Sequence, residues 1–149
     1  MRIYRATFIG HREIHTTREL DERLESDIEE LIRHNEFVEF YIGRNGDFDI
    51  LVASIIKRVQ RRLGKEKSAL ILVLPYEVKD MEYYEKYYDD IIIPIEGVHF
   101  KSAIGARNRW MVDKCDVLFA YVERSEGGAA DCLTYAEKQG LKIINYAER

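Results

Sequence analysis

The run Ala69-Leu70-Ile71-Leu72-Val73-Leu74, stopped by Pro75, constrains the fold of this chain more than any other feature. It is too short for a typical helix and has no polar position, so it reads as a strand buried on both faces. Such a strand belongs in the middle of a parallel sheet with helices above and below. The rest of the chain supplies both kinds of neighbour. Ala6-Thr7-Phe8-Ile9-Gly10 and Glu39-Phe40-Tyr41-Ile42-Gly43 are compact strand patterns closed by glycine. Ile91-Ile92-Ile93 is a shorter one ended by Pro94, and residues 116–122 and 141–144 supply two more. Between them lie amphipathic stripes. Leu20, Leu24, Ile28, Leu31 and Ile32 follow a Thr16/Glu19 capping-box spacing. Val52, Ile55, Ile56, Val59 and Leu63 follow Asp47 or Asp49 as a cap and precede Gly64, which suits a helix end. Ser102 is a candidate cap for a helix through Lys114, and Gly127-Gly128 opens a helix that ends at Gly140.

Strand–helix alternation with short turns predicts the α/β class: a Rossmann-like three-layer α/β/α sandwich with a mostly parallel sheet. Right-handed crossovers leave few topologies. No Pro/Gly/Ser linker divides the sequence, so residues 1–149 are expected to form a single domain. The tyrosine-rich, acidic stretch from Met81 to Asp90 reads as a half-buried helix or loop over the sheet edge, and Trp110 reads as core.

The charge pattern narrows the function classes. A formal net charge of -4 supplies no global basic field for a nucleic-acid backbone, so nucleic acid is an unlikely partner. Arg58, Arg61, Arg62, Lys65 and Lys67 form a local basic cluster that reads as a solvated helix end. Cys115 and Cys132 lack CxxC spacing and read as small reduced core residues. The amino terminus runs directly into a strand, and no apolar run approaches the roughly 20 residues of a membrane span, so a cytoplasmic protein without membrane contact is expected. His11, His15, His34 and His99 are scattered without metal spacing. There is no HExxH, no acidic calcium loop and no GxSxG elbow. Neither a metal nor a cofactor is expected.

In open α/β sheets, ligands bind beyond the carboxyl ends of the strands. Several polar, glycine-containing segments fall there. Gly10-His11-Arg12 follows the first strand: glycine allows close backbone approach, Arg12 offers a planar fork to phosphate or carboxylate, and His11 can hydrogen-bond or titrate. Gly43-Arg44-Asn45-Gly46-Asp47 presents two glycines at a helix start, without the GxGxxG or Walker A spacing. Ser125-Glu126-Gly127-Gly128-Ala129 places paired glycines at a helix amino terminus, where free N–H groups and the helix dipole suit a phosphate. On the helix carrying Arg107-Asn108-Arg109, Arg107 and Met111 share a face and Arg109 points elsewhere, so one of the two arginines can reach the site.

These segments, in this order and spacing, resemble the SLOG superfamily. Its Rossmann-like members include the LOG nucleotide phosphoribohydrolases and the DNA-processing protein A fold, and the small YpsA-like group of bacterial and phage proteins is the most similar branch. The carriers are Phe8-Ile9-Gly10-His11-Arg12, the Gly43/Gly46/Asp47 turn, residues 107–113 and Gly127-Gly128. The resemblance implies a pocket for a nucleotide or nucleotide derivative, with the glycine pair holding a phosphate and Arg107 at the position of an arginine of the LOG enzymes. Leu133 and Thr134 stand where the catalytic glutamate of those enzymes would fall, so no catalytic residue is assigned. The expected ligand-binding set is Gly10, His11, Arg12, Gly43, Gly46, Asp47, Arg107, Asn108, Gly127 and Gly128.

The expected function is binding of a nucleotide-like small molecule, as a ligand-sensing or sequestering module. The alternative is a nucleotide-processing hydrolase of the phosphoribohydrolase kind, with Glu123 or Asp131 as its carboxylate, and a third reading is a DNA-associated protein. An exposed sheet edge and the tyrosine segment allow a homodimer.

Overall fold

The computed structural model describes residues 1–44 and 46–148. Asn45, in the second glycine-containing turn, lies outside the described residues. The chain runs β1 (Ile3–Gly10), α1 (Arg18–His34), β2 (Phe37–Ile42), α2 (Asp47–Leu63), β3 (Ser68–Val73), α3 (Met81–Tyr87), β4 (Asp90–Ile92), α4 (Phe100–Lys114), β5 (Val117–Tyr121), α5 (Gly128–Lys138) and β6 (Lys142–Asn145). The strands form one sheet in the order β4-β3-β2-β1-β5-β6, and every pairing is parallel. The expected three-layer α/β/α arrangement is thus present, with an all-parallel sheet. No helix among the described residues is long and apolar enough to cross a membrane.

Alternation along the strands assigns the layers. Phe8, Phe40, Ile42 and Leu70 point to one face, where the buried stripes of α1 (Leu20, Leu24, Ile28, Ile32) and α2 (Val52, Ile55, Ile56, Val59) cover them. Ile9, Leu118 and Ala120 point to the other, against Val112 of α4 and Ala130, Cys132 and Ala136 of α5. Tyr41, Ile71 and Val73 meet Met111 on that same face. The tyrosine-rich stretch forms the short helix α3, whose buried Tyr84 packs on Leu72 and Leu74.

Three helix starts differ from the sequence expectation, each for a local reason. Adjacent threonines offer α1 two caps. Thr17, not Thr16, serves, because its Oγ1 accepts the N–H of buried Leu20 at 3.1 Å. Helix α2 has Gly46 at its N-cap and no side-chain cap. Asp47 instead accepts the backbone N–H of Ile14 at 3.2 Å, and Asp49 turns into the protein, 8% exposed. Helix α4 begins at Phe100, where the His99 imidazole stacks on Phe100 and accepts the N–H of Lys101, so Ser102 lies inside the first turn.

The order of strands reverses at β1. Strands β2, β3 and β4 are laid down successively on one side of it, then α4 carries the chain back across the sheet to place β5 on the other side. The loops leaving β1 and β5 therefore diverge toward opposite faces and open a crevice at the carboxyl edge.

Candidate anion-binding cleft

A cleft of about 240 Å³ occupies that crevice. Seven of the expected residues line it: Gly10, His11 and Arg12 from the β1–α1 loop, Arg107 and Asn108 from α4, and Gly127 and Gly128 at the start of α5. The reversal of strand order brings together segments far apart in sequence.

The β1–α1 loop is held in place by α2. Phe48 packs so closely on Gly10 that an added Cβ would lie 2.5 Å from its ring. The N–H of Asp47 donates to the Arg12 carbonyl at 2.8 Å, and a Cβ at Gly46 would lie 2.4 Å from the Arg12 Cα. Gly43 sits against the Arg107 guanidinium, where a Cβ would come 2.9 Å from Nη1. Gly43, Gly46 and Asp47 are accordingly not among the lining residues. They brace the loop and the arginine that are.

Arg107 is the largest fully buried side chain, 2% exposed. Its Nη1 donates to the Val73 carbonyl at 2.8 Å and its Nε to Asn108 Oδ1 at 2.9 Å. Burial pulls its pKa down, and the charge of nearby Asp49 opposes that pull. A cation kept in so dry a place gives a strong, short-range field at the cleft floor. Of the two arginines on this helix, Arg107 reaches the cleft, and Arg109 lies on the groove beyond it.

His11 is a fastening rather than a free base. Its Nε2 accepts the backbone N–H groups of Glu123 at 3.0 Å and Arg124 at 3.3 Å, while the His11 backbone N–H donates to the Tyr121 carbonyl at 3.3 Å. An Nε2 that accepts is unprotonated, so the ring is neutral with its proton on Nδ1. Burial first, and then the Arg124 charge, lower its pKa, against a raising effect of Glu123. The imidazole thereby pins the β5–α5 loop to the end of β1.

That loop leads through Gly127, whose φ of 105° only glycine adopts easily, into α5. No side chain caps the α5 amino terminus, so the N–H groups of its first turn face the cleft together with the positive end of the helix dipole. Arg124 and Glu126 of the same loop line the cleft, as do Asp49 and Ile104. Sequence reading assigned none of these four to the binding set. Arg124 carries the one available signal, since it stands in the loop after a strand that ends beside a glycine pair. Three arginines face two carboxylates here, with His11 neutral, so the cleft is cationic within an acidic protein.

The other expected features lie elsewhere. The basic cluster is largely paired: Arg58 binds Asp21 and Glu25, Arg62 binds Glu25 and Glu29, and Lys65 binds Asp89. Glu123 is not a lining residue, and Asp131 lines the neighbouring groove. Trp110 is half-buried against Tyr41, their ring centres 5.7 Å apart. Among the described residues no group of three or more His, Cys, Asp or Glu side chains is arranged to hold a metal ion.

No family model matches the chain, and no curated protein matches its sequence. Solved structures do match its fold. DNA processing protein A from Helicobacter pylori, described for its single-stranded DNA binding mode, superposes with a TM-score of 0.63 at 15% identity, covering 94% of this chain and 63% of that one. DNA processing protein A from Streptococcus pneumoniae gives 0.53 at 14%, covering 98% and 60%. The molybdenum cofactor carrier protein from Chlamydomonas reinhardtii gives 0.61 at 16%, covering 97% and 76%. The chain thus spans about three fifths of the length of the DNA processing proteins. At these identities the likeness is one of fold alone, the Rossmann-like α/β fold.

Proposed function

We propose that this chain binds a nucleotide or nucleotide derivative, holding its phosphate between the α5 amino terminus and Arg12, Arg107 and Arg124, and that it acts as a ligand-sensing or sequestering module. The convergence of three arginines on an uncapped helix start at the strand-order reversal carries this reading. The cleft volume lies just below the roughly 300–1,000 Å³ usual for ligand pockets, which suits a phosphate with part of its sugar. The Chlamydomonas carrier protein, whose name states a small-molecule cargo, has the same fold and adds weight to a binding role. Buried, unpaired cysteines accord with a cytoplasmic setting.

A thermal-shift screen against nucleoside mono-, di- and triphosphates tests the reading. A ligand at about 100 times its Kd adds roughly 2.7 kcal/mol, which raises the midpoint by several degrees. The Gly128→Asp variant is the control. Nothing lies within 4 Å of a Cβ at Gly128, so the chain accommodates the substitution while a negative charge enters the anion site. Unchanged affinity in that variant would reject the site.

Asp49 favours a second reading, hydrolysis of an N-glycosidic bond, because it places a carboxylate beside Arg107 in the cleft although Leu133 and Thr134 replace the expected glutamate. Chromatography of nucleoside monophosphates after hours with the protein decides it: release of free base supports turnover, and intact substrate rejects it. Against a nucleic-acid partner, as in the Helicobacter protein, three of the five residues of the basic cluster, Arg58, Arg62 and Lys65, are already held in ion pairs.

A further inference from the structure

The glycines of this chain divide by cause, and the division points to a second subsite. Gly64, Gly97, Gly127 and Gly140 hold positive φ. Gly10, Gly43 and Gly46 have no room for a Cβ. Gly105 and Gly128 belong to neither group. A Cβ at Gly105 would meet nothing nearer than the Arg109 guanidinium at 3.4 Å, and one at Gly128 would meet nothing within 4 Å. Neither folding nor backbone conformation asks for glycine at these two positions. Gly105 is moreover in the interior of α4, where glycine is unfavourable relative to alanine.

Both face the same space. A groove of about 290 Å³ runs between α4 and α5, lined by Gly105 and Gly128 together with Ile104, Cys132, Arg109 and Lys138. It shares Ile104, Asn108 and Gly128 with the anion cleft, so the two are continuous across the first turn of α5. We propose that this groove is a second subsite, which takes the flat heteroaromatic ring of a ligand whose phosphate occupies the cleft, and that Gly105 and Gly128 are glycine to keep it open. The proposal rests on the phosphate-binding reading above and extends it to the nucleoside part.

The lining favours a ring over a second phosphate. Ile104 and Cys132 make the floor apolar, and burial pushes the Cys132 thiol up to about 12, so that floor is uncharged at neutral pH. The Arg109 guanidinium adds a plane on which an aromatic base stacks. Asp131 offsets part of the positive charge of Arg109 and Lys138, and its carboxylate accepts from ring amino groups.

Calorimetric titration of the full chain with AMP, GMP, CMP and UMP, and with ribose 5-phosphate, tests the subsite. At least one nucleoside monophosphate is expected to bind about tenfold or more tighter than ribose 5-phosphate, the usual worth of one stacked base. Gly105→Leu fills the groove and should erase that difference, leaving the ribose 5-phosphate affinity as it was. Equal affinities in the wild-type chain, or an undiminished nucleotide preference in Gly105→Leu, would overturn the proposal. If ribose 5-phosphate and all four nucleotides fail to bind the wild-type chain, the phosphate cleft itself is wrong and the subsite falls with it. Gly105→Ala gives a ligand-free check. Its thermal midpoint should rise by about 2–4 °C, as for a helix relieved of a glycine. A fall would assign Gly105 to packing and reject the groove.

Discussion

Two side chains that line the cleft, His11 and Arg107, also hold the surrounding structure together. His11 Nε2 accepts two backbone N–H groups, and a protonated ring cannot do so. Its folded pKa lies below the ordinary value of 6.5. Below pH 6.5 the unfolded chain therefore binds more protons than the folded one, so the His11 contribution is present above that pH and is lost as pH falls toward the folded pKa. Urea midpoints measured between pH 7.5 and pH 5.5 should fall accordingly, and His11→Ala should remove this part of the slope. The same variant should cost about 1–3 kcal/mol at pH 7.5, because two N–H groups lose their acceptor. Arg107→Ala should cost about 3–5 kcal/mol by denaturant unfolding, since it breaks a buried network that includes the Val73 carbonyl and Asn108. Arg124 is the informative residue for binding, because it is exposed. Arg124→Ala should alter stability by no more than about 0.5 kcal/mol while weakening phosphate binding in calorimetry.

Among the elements, the first turn of α2 does the most to build a site it barely enters. Its Phe48 presses on Gly10, its Asp47 ties down the backbone at Arg12 and Ile14, and its Asp49 faces Arg107. Gly46 has an extended φ of -177°, so its glycine is a matter of contact and not of conformation. Gly46→Ala should therefore destabilise the chain by about 1–3 kcal/mol through backbone overpacking, read as a lower thermal midpoint. Gly127 is the opposite case, with open space around it and a φ that penalises any side chain. At the far end of the β1–α1 loop, Thr17→Ala should cost about 1 kcal/mol through the lost cap on Leu20. The helix stripes were legible in the sequence because burial repeats with the helical period. The caps were less so, because a cap depends on which neighbouring N–H is left to satisfy.

Across the whole molecule, a chain of net charge -4 gathers three arginines at one edge of its sheet. Acidic side chains of α1 meanwhile neutralise Arg58 and Arg62 of α2. The positive field is thus local to the cleft. The two cysteines give a reading on the integrity of the whole fold. Both are buried, and burial pushes the Cys132 thiol up to about 12 and raises Cys115 further. A thiol reagent at pH 8 should react with neither in the native chain and with both in denaturant. Native reactivity of Cys115, which packs against Tyr41, Ile71 and Met111, would mean that the face of the sheet under α4 opens readily.

The sequence by itself determined the α/β class, the sequence of strands and helices, and the polar glycine turns at strand ends. Those features are local, written in apolar periods of two and 3.6 and in residues that stop them. It also marked Arg107 and the Gly127-Gly128 pair as candidates. Only the tertiary structure decided that Gly43 and Gly46 brace the cleft while Gly10 lines it, that His11 is a neutral fastening, and that Arg124 and Asp49 line the same cleft. The physical reason is topological. The reversal of strand order brings residues 10–12 beside residues 124–128 and 107–108, and no local period records which distant backbone will press on a glycine or which N–H an imidazole will meet.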